Sequence, residues 1–581
     1  MEEYGCLEVY EEGFDDSIKA MEGVSTSTAG FIGLTQRGPT EGKPILVTSF
    51  LEYQHIFGDY LPNTYKEQRY LPYSVEQFFQ NGGSNAYIMR VCANTDTCAI
   101  SEIICGNNIL TLKAKNVGVW GNNLEVKLKR NRERYTMISA KCEREHTYLV
   151  KNAEIFHIGE LVEIETEENH GVFYKILDIN EQQLTLNTDI AGEYLSDGSS
   201  STRKLYAIQY DAWLGIKEYK YQEIFNGVSL QKEMPNNLEQ MLDKSYLVSL
   251  YLPKHPFEIK ACQEFDAWIC GQETCTCTFY GGTSNLIEND PSLYIGVNQG
   301  LGKCSGLAAF QEISDVSILC IPGVTMPKVQ AALIDYCEKT SSCFAILDMP
   351  QNLTDVDELL ARRAMFDSSY AAIYHPWLKY YDALEKHNLF FPPSGTMAGI
   401  YARCDHTRGV YKAPANEVIR GCYGLSTTYN VAEQRILNAK GVNLICKIPG
   451  SGFLVWGART ISSNSSWKYV NVRRLFIYIE ESIYANTRWA VFETNDEKLW
   501  SRVKGTIQIF LTILWRNGAL MGATAEEAFY VNIGRSTMTQ DDIQNGRLIC
   551  EIGVASIRPA DFVILKIAQN MEKGHNERRS K

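Results

Sequence analysis

Hydrophobic positions along the chain fall into short blocks separated by turn-forming residues, and the length and spacing of each block point to the element it builds. Residues 29–35 (AGFIGLT) form an unbroken apolar run, the pattern of a buried strand. A turn on Gly38-Pro39 follows, and a second strand begins over Ile45 to Val47. Tyr73 to Phe79 reads as a short helix stopped by Asn81-Gly82-Gly83, and Ala86 to Val91 as a strand. Much later the same alternation returns. Val316 to Ile321 is a continuous apolar strand closed by Pro322-Gly323, and Pro327 to Lys339 is a helix with Pro at its start. Cys343 to Leu347 is another buried strand, Asp355 to Asp367 a helix with Asp at its N-terminal end, and Ala371 to Tyr374 a third strand. Apolar strands alternating with helices require a parallel sheet covered on both faces, so residues 31–93 and 251–394 are expected to form one α/β body.

The interval between them, residues 94–250, has a different texture. Leu161 to Ile164, Phe173 to Ile179 and Leu184 to Leu186 are short alternating strands between Gly and Asn turns, the pattern of a small barrel or sandwich. This predicts an inserted all-β domain. The basic run Lys127 to Tyr135 (KLKRNRERY) fits a solvated strand face better than a nucleic-acid site. From residue 395 to 569 a second, α+β unit is expected. It holds a helix over Asn430 to Asn438, strands near Leu444 to Lys447 and Phe453 to Trp456, and long helices over Val472 to Tyr484 and Asp496 to Asn517.

Both ends of the chain are strand-like but lie outside these units. Residues 1–30 read as an extended arm in which Leu7 and Val9 alternate with Glu8 and Tyr10. Near the other end, Phe562, Val563, Ile564, Leu565, Lys566 and Ile567 follow Pro559 as a β-prone run, and residues 570–581 are a charged tail expected to be disordered. An end strand has unpaired N–H and C=O groups, so it either folds back on its own domain or pairs with another chain.

Composition removes several function classes. Across 581 residues, 56 Lys+Arg against 69 Asp+Glu give a formal charge of −13, which argues against a general nucleic-acid binder. The longest apolar run, Ile507 to Trp515, is too short to span a bilayer. The acidic N-terminus MEEYGCLEVYEEG is not a secretory signal, which predicts a reducing compartment and free thiols for the 17 cysteines.

Candidate chemistry is sparse. Gly296 to Gly306 (GVNQGLGKCSG) approaches a phosphate loop, but its glycines are one residue too far apart and Cys304 stands where a hydroxyl is needed. Cys270, Cys275 and Cys277 lack the second ligand pair of a zinc site. No G-x-S-x-G or H-E-x-x-H motif occurs. Asp348 at a strand end and His375 before Pro376 are the acids and bases an α/β hydrolase would use, although turn capping and packing explain each more simply. No catalytic, metal or cofactor site is therefore assigned, and an enzyme of hydrolase type is the rival reading.

Several long segments, in order, resemble the contractile tail sheath proteins of bacteriophages and phage-tail-like contractile injection systems. They include GVSTSTAGFIGLTQRGP (Gly23 to Pro39), VEQFFQNGGSNAYIMRV (Val75 to Val91) and PPSGTMAGIYARCDHTRGVYKAPANE (Pro392 to Glu417). GVNLICKIPGSGFLVWGARTISS (Gly441 to Ser463), WKYVNVRRLFIYIEESI (Trp467 to Ile483) and VFETNDEKLWSRVKGTIQIFL (Val491 to Leu511) continue the series. Gly5-Cys6-Leu7-Glu8 departs from the Pro-Gly that usually precedes the first strand. The resemblance implies a subtilisin-like α/β body without the triad and an outward-facing insertion. It also implies a homopolymer of six-membered rings stacked helically around an inner tube, on a baseplate and under a terminator. Such a sheath is assembled in the bacterial cytoplasm, becomes part of a phage tail or related particle, and contracts to drive the tube through an envelope. The end strands, Leu7 to Tyr10 and Phe562 to Ile567, would pair between subunits, and Asp541, Asp542 and Gln544 would be available to basic tube residues.

Overall fold

A computed structural model describes residues 21–559 apart from short stretches at 106–107, 165–171, 191–202, 218–221, 252–258, 271–274 and 288–289. The expected end strands, Leu7 to Tyr10 and Phe562 to Ile567, and the tail 570–581 lie outside the described residues.

The main body is an eight-stranded sheet built from β1 (Ala29–Leu34), β2 (Ile45–Val47), β3 (Ala86–Val91), β4 (Ile318–Cys320), β5 (Phe344–Asp348), β6 (Ala371–His375), β7 (Val442–Ile448) and β8 (Gly452–Val455). Their order is β2-β3-β1-β4-β5-β6-β7-β8. The strands from β3 to β7 pair in parallel, and antiparallel β2 and β8 close the two edges. Every residue of β1, β5 and β6 is buried. Alternate side chains feed two separate cores: Phe31, Phe344, Ile346 and Tyr374 on one face, and Ile32, Ala345, Leu347 and Ile373 on the other. That is the reason unbroken apolar runs were needed in the sequence.

Helices α1 (Tyr70–Gln80), α2 (Pro327–Thr340), α3 (Val356–Arg363), α4 (Ser394–Arg408) and α5 (Val431–Ala439) cover these faces. Asp355 caps α3 and Asn430 caps α5 through a capping box with Glu433. On the first face α4 lies directly against α1. A Cβ added to Gly395 would sit 2.3 Å from the Ser74 carbonyl, and one added to Gly399 would sit 2.4 Å from the Phe78 carbonyl. The two glycines, one helical turn apart, let the backbones touch, which accounts for the PSGTMAGIYA stretch.

Residues 100–278 form three further sheets. Six strands between Tyr135 and Ala207 close into a barrel, four strands from Leu124–Asn131 to Cys275–Thr278 form a second sheet, and three more form a third. The expectation of a purely β insertion ending at residue 250 differs in two respects. Helices Leu238–Asp243 and Ile259–Cys270 belong to this region, and Cys275–Thr278 pairs with Leu124–Asn131, carrying it to Thr278. The helix Ile259–Cys270 is retained because Cys262, Phe265 and Ile269 bury one of its faces in the same core.

The expected second unit also begins later than residue 395. Helix α4 packs on the main sheet, and β7 pairs with β6 to extend it. Tertiary pairing outweighs the break in texture that suggested a boundary. The C-terminal unit proper consists of α6 (Val470–Thr487), α7 (Glu497–Arg516), β9 (Phe529–Ile533), α8 (Gln540–Gln544) and β10 (Cys550–Val554) around its own core.

Candidate assembly interface

Helix α6 holds both residues 22–26 and the chain just beyond β10. Polar residues in its sequence, VNVRRLFIYIEESIYANT, are spaced to reach two different segments. On the N-terminal side, Asn486 Nδ2 donates to the Glu22 carbonyl (2.8 Å) and its Oδ1 accepts from the Glu22 N–H (3.3 Å). The Val24 N–H donates to Ser482 Oγ (3.1 Å), and Arg474 Nη2 donates to the Thr26 carbonyl (2.8 Å). Met21 is buried among Leu475, Ile479 and their neighbours. Residues 22–28 therefore run along α6 from its C-terminal end before entering β1. Gly23 passes so close that a Cβ there would lie 1.9 Å from the Tyr478 hydroxyl.

Arg474 is held by Asp405 of α4 through two hydrogen bonds, Nη1 to Oδ1 at 2.9 Å and Nη2 to Oδ2 at 2.6 Å. Both side chains are almost fully buried. This pair and its contact with Thr26 tie the root of the N-terminal segment to the main body. On the opposite side, Asn471 Nδ2 donates to the Ile557 carbonyl (3.2 Å), fixing the chain after β10 beside the first turn of α6. Asn471 and Asn486 are fifteen positions apart, roughly 22 Å along a helix at 1.5 Å per residue. Glu22 and Ile557 are thus held at opposite ends of one helix.

Just before Ile557 the chain forms a two-stranded sheet. β9 and β10 pair antiparallel with Phe529 opposite Val554 and Val531 opposite Ile552. Phe529 and Val531 are buried toward α7, whereas Tyr530 and Asn532 are exposed. A ribbon of two strands is marginal alone, and the outer edge of such a strand can accept a further strand. Among the described residues no third strand joins it.

The acidic residues expected at a tube surface fall on α8. Asp542 closes a capping box, accepting from the Thr539 N–H (2.9 Å) and hydroxyl (2.6 Å), and its own N–H returns to Thr539 Oγ1. Those bonds hold its carboxyl below its ordinary pKa. Arg547 bridges Asp541 (3.1 Å) and Asp542 (3.0 Å). Asp541 and Gln544 are exposed.

The residues a hydrolase would use are engaged elsewhere. Asp348, at the end of β5, accepts from the Gly323 N–H (3.0 Å), the Ser394 N–H (2.9 Å) and the Ser394 hydroxyl (2.7 Å). It thereby caps the start of α4, and burial pushes its carboxyl up to about 6. His375 Nε2 lies 2.8 Å from the Tyr429 hydroxyl, which donates to the Thr354 carbonyl. Tyr429 has one proton to give, so His375 is read as the neutral Nε2–H tautomer. Burial pulls its pKa down to about 4. Asp348 and His375 share no hydrogen-bonding partner among the described residues. Gly296 has φ +70°, and its loop turns back on itself: the Ser305 N–H donates to the Val297 carbonyl (3.0 Å), leaving Leu301 exposed at the tip. Cys275 and Cys277 are buried in a strand, and among the described residues no cluster of His, Cys, Asp or Glu could hold a metal ion.

Residues 299–461 match the phage tail sheath protein central domain, and residues 462–570 match the phage tail sheath C-terminal domain that follows it. The chain belongs to the contractile tail sheath family. A prophage major tail sheath protein of Pseudomonas aeruginosa (strain UCBPP-PA14) is 25% identical over 285 residues, 47% of this chain and 71% of that protein. The sheath complex of an extracellular contractile injection system, PVC, in its contracted state has the same fold over 98% of this chain and 99% of that one, with TM-score 0.53 and 20% identity. The helical sheath of the anti-feeding prophage, also contracted, matches with TM-score 0.52 and 20% identity over 98% and 100% of the two chains. The tail sheath chain is thus a structural component of a phage tail or tail-like particle. The residues that position its ends, Asp405, Asn471, Arg474, Ser482 and Asn486, went unassigned in the sequence. Their only signal was a set of polar residues inside otherwise apolar helical stretches, and one sequence does not say which segment such residues face.

Proposed function

We propose that this sheath subunit polymerises as six-membered rings stacked helically around an inner tube, assembled in the bacterial cytoplasm on a baseplate and closed by a terminator. The lattice is metastable when extended, and contraction buries more surface between subunits and drives the tube forward. The observation that carries this reading is the β9–β10 ribbon, which no third strand joins among the described residues, together with the anchoring of Glu22 and of Ile557 at opposite ends of α6. Leu7 to Tyr10 and Phe562 to Ile567 supply the strands that neighbouring ribbons lack, so bodies rotate while the strands act as hinges. The main sheet corresponds to the family's subtilisin-like body, with Asp348 capping α4 and His375 serving packing, and residues 100–278 form the outward-facing module. Asp541 and Gln544, with Asp542 behind them, face the tube. Removal of residues 1–12, or Val563→Pro with Leu565→Pro, is expected to leave a folded, soluble subunit that forms no sheaths. Long sheaths of normal diameter from either variant in negative-stain micrographs would overturn the strand-sharing reading.

A further inference from the structure

The turn between α2 and β5 brings two thiols together. Ser341 takes the left-handed conformation (φ +56°) and its N–H donates to the Cys337 carbonyl (3.0 Å), so the chain reverses from helix to strand across Ser341 and Ser342. Cys337, in the last turn of α2, and Cys343, immediately before β5, therefore meet in the core on the Ile32 side of the main sheet, with their sulfurs 3.4 Å apart. The Thr340 hydroxyl lies 3.4 Å from Cys343 Sγ. The Cys337 thiol, aided by the Thr340 and Ser342 hydroxyls, outweighs burial and holds the Cys343 thiol below its ordinary pKa, whereas burial pushes the Cys337 thiol well up. Elsewhere burial dominates: the thiols of Cys404, Cys422 and Cys446 are each pushed up to about 11. Cys343 is thus the better nucleophile of the pair, with Cys337 a neutral thiol beside it.

A cavity of about 400 Å³ adjoins the pair. It lies between residues 24–28, α6 and the turns that lead into β4 and β5, and Ser317, Ser342 and Glu481 are among its walls. Ser342 precedes Cys343 in the chain, and the Glu481 carboxylate is near enough to act on the Cys343 thiol. A molecule of a few atoms in this cavity stands next to the more reactive sulfur. We propose that Cys337 and Cys343 form a redox-active dithiol, a modification site for hydrogen peroxide that closes into an intramolecular disulfide. The Cys343 thiolate attacks one peroxide oxygen, the O–O bond breaks, and the other oxygen leaves as hydroxide, giving a sulfenic acid. The Cys337 sulfur then attacks the Cys343 sulfur, the S–O bond breaks, and water leaves with the Cys337 proton. Counting the proton given up by Cys343, two thiols are oxidised to one disulfide and one peroxide is reduced to two waters. The sulfurs must approach by about 1.4 Å from their separation of 3.4 Å, a motion that side-chain rotation supplies. The new bond staples the end of α2 to the start of β5. The Phe344 N–H donates to the Ser317 carbonyl (3.0 Å) and the Ser317 N–H to the Thr28 carbonyl (3.0 Å), so the stapled corner is hydrogen-bonded to the root of β1. The site belongs to the single chain and is independent of how copies assemble.

The test is hydrogen peroxide added to the reduced, folded full chain, followed by alkylation of the remaining thiols in denaturant, digestion by trypsin without reductant, and mass spectrometry. Trypsin cuts after Lys339, between the two cysteines, so only a disulfide keeps their peptides together. The linked pair is expected at roughly one tenth of the peroxide that oxidises Cys404 or Cys446. Dithiothreitol should restore both thiols, and amide exchange over residues 340–344 should be slower in the oxidised chain than in the reduced one. Cys337→Ser should leave Cys343 as a sulfenic acid that dimedone labels, and Cys343→Ser should leave Cys337 reduced at the same peroxide. Should either variant not fold, the linked peptides of the native chain decide alone. Full alkylation of Cys337 and Cys343 under peroxide that already oxidises Cys404 overturns the proposal. So does a link that forms only when peroxide is added in denaturant, and a link that leaves exchange at residues 340–344 unchanged overturns the staple.

Discussion

Asp405→Asn is the substitution that most directly tests how the N-terminal segment is anchored. The native carboxylate and Arg474 have side-chain exposures of 4% and 3%, and they meet through two hydrogen bonds. Removing the charge from one partner leaves a guanidinium in the interior with no carboxylate, which typically costs about 3 to 5 kcal/mol. Asn still accepts one bond, so the lower figure applies. In a chain of several units this loss is felt first as local opening. At 1.36 kcal/mol per factor of ten, about 3 kcal/mol is roughly a 150-fold rise in the opening equilibrium. Hydrogen exchange read by mass spectrometry should show that loss of protection at residues 24–30 and along α6. Peptides from the Leu124–Asn131 strand, which lie in a different core, should be unchanged. The double variant Asp405→Leu with Arg474→Met removes both charges and should cost only about 1 kcal/mol, mainly the lost bond to Thr26. A change below about fivefold in the single variant, or equal damage in the double one, would refute the claim that this pair holds the segment.

The contact of α1 with α4 predicts that Gly399→Leu forces the helices apart. The expected cost is about 1 to 3 kcal/mol or more, seen as a lower thermal transition, while Gly450→Ala, with open space around it, should cost much less despite its positive φ. Acid titration should expose two opposed groups. Asp348 has a folded pKa of about 6 against an ordinary 3.8, so it binds its proton more readily when folded, and its contribution rises as pH falls through 6 toward 3.8. His375 has a folded pKa of about 4 against 6.5, so its contribution is lost over pH 6.5 to 4. Each amounts to about 3 kcal/mol, so Asp348→Asn should make the chain more acid-sensitive and His375→Gln less so, measured by melting at pH 4 and 7. Two variants of equal acid sensitivity would refute that account. Finally, Asp541→Lys should leave α8 folded but weaken tube-templated assembly, whereas Asp542→Ala should also fray α8 by removing its cap, as read by exchange at residues 540–547.

Much of the main body was legible because burial on both faces leaves a one-dimensional trace. The apolar runs at residues 29–35, 86–91, 343–347 and 371–374 needed no knowledge of neighbours to be read as strands, and Asp355, Asn430 and Asp496 mark helix starts by local hydrogen bonding alone. The family resemblance likewise rested on ordered motifs. The unit boundaries were not legible. β7 and β8 follow a change of texture at residue 395, yet they complete the main sheet, and Cys275–Thr278 rejoins the insertion after a gap in the chain. Pairing between strands distant in sequence depends on three-dimensional register, to which composition is blind.

The same distinction holds for the site. The sequence alone determined that both ends are strand-prone, that the N-terminal one is strongly acidic, and that no recognised catalytic motif is present, since these are properties of residue type and order. Only the tertiary structure decided that α6 holds Glu22 and Ile557 at its opposite ends and that Asp405 reaches Arg474 from another helix. Those are distances between segments up to hundreds of residues apart, and they exist only once the chain has packed.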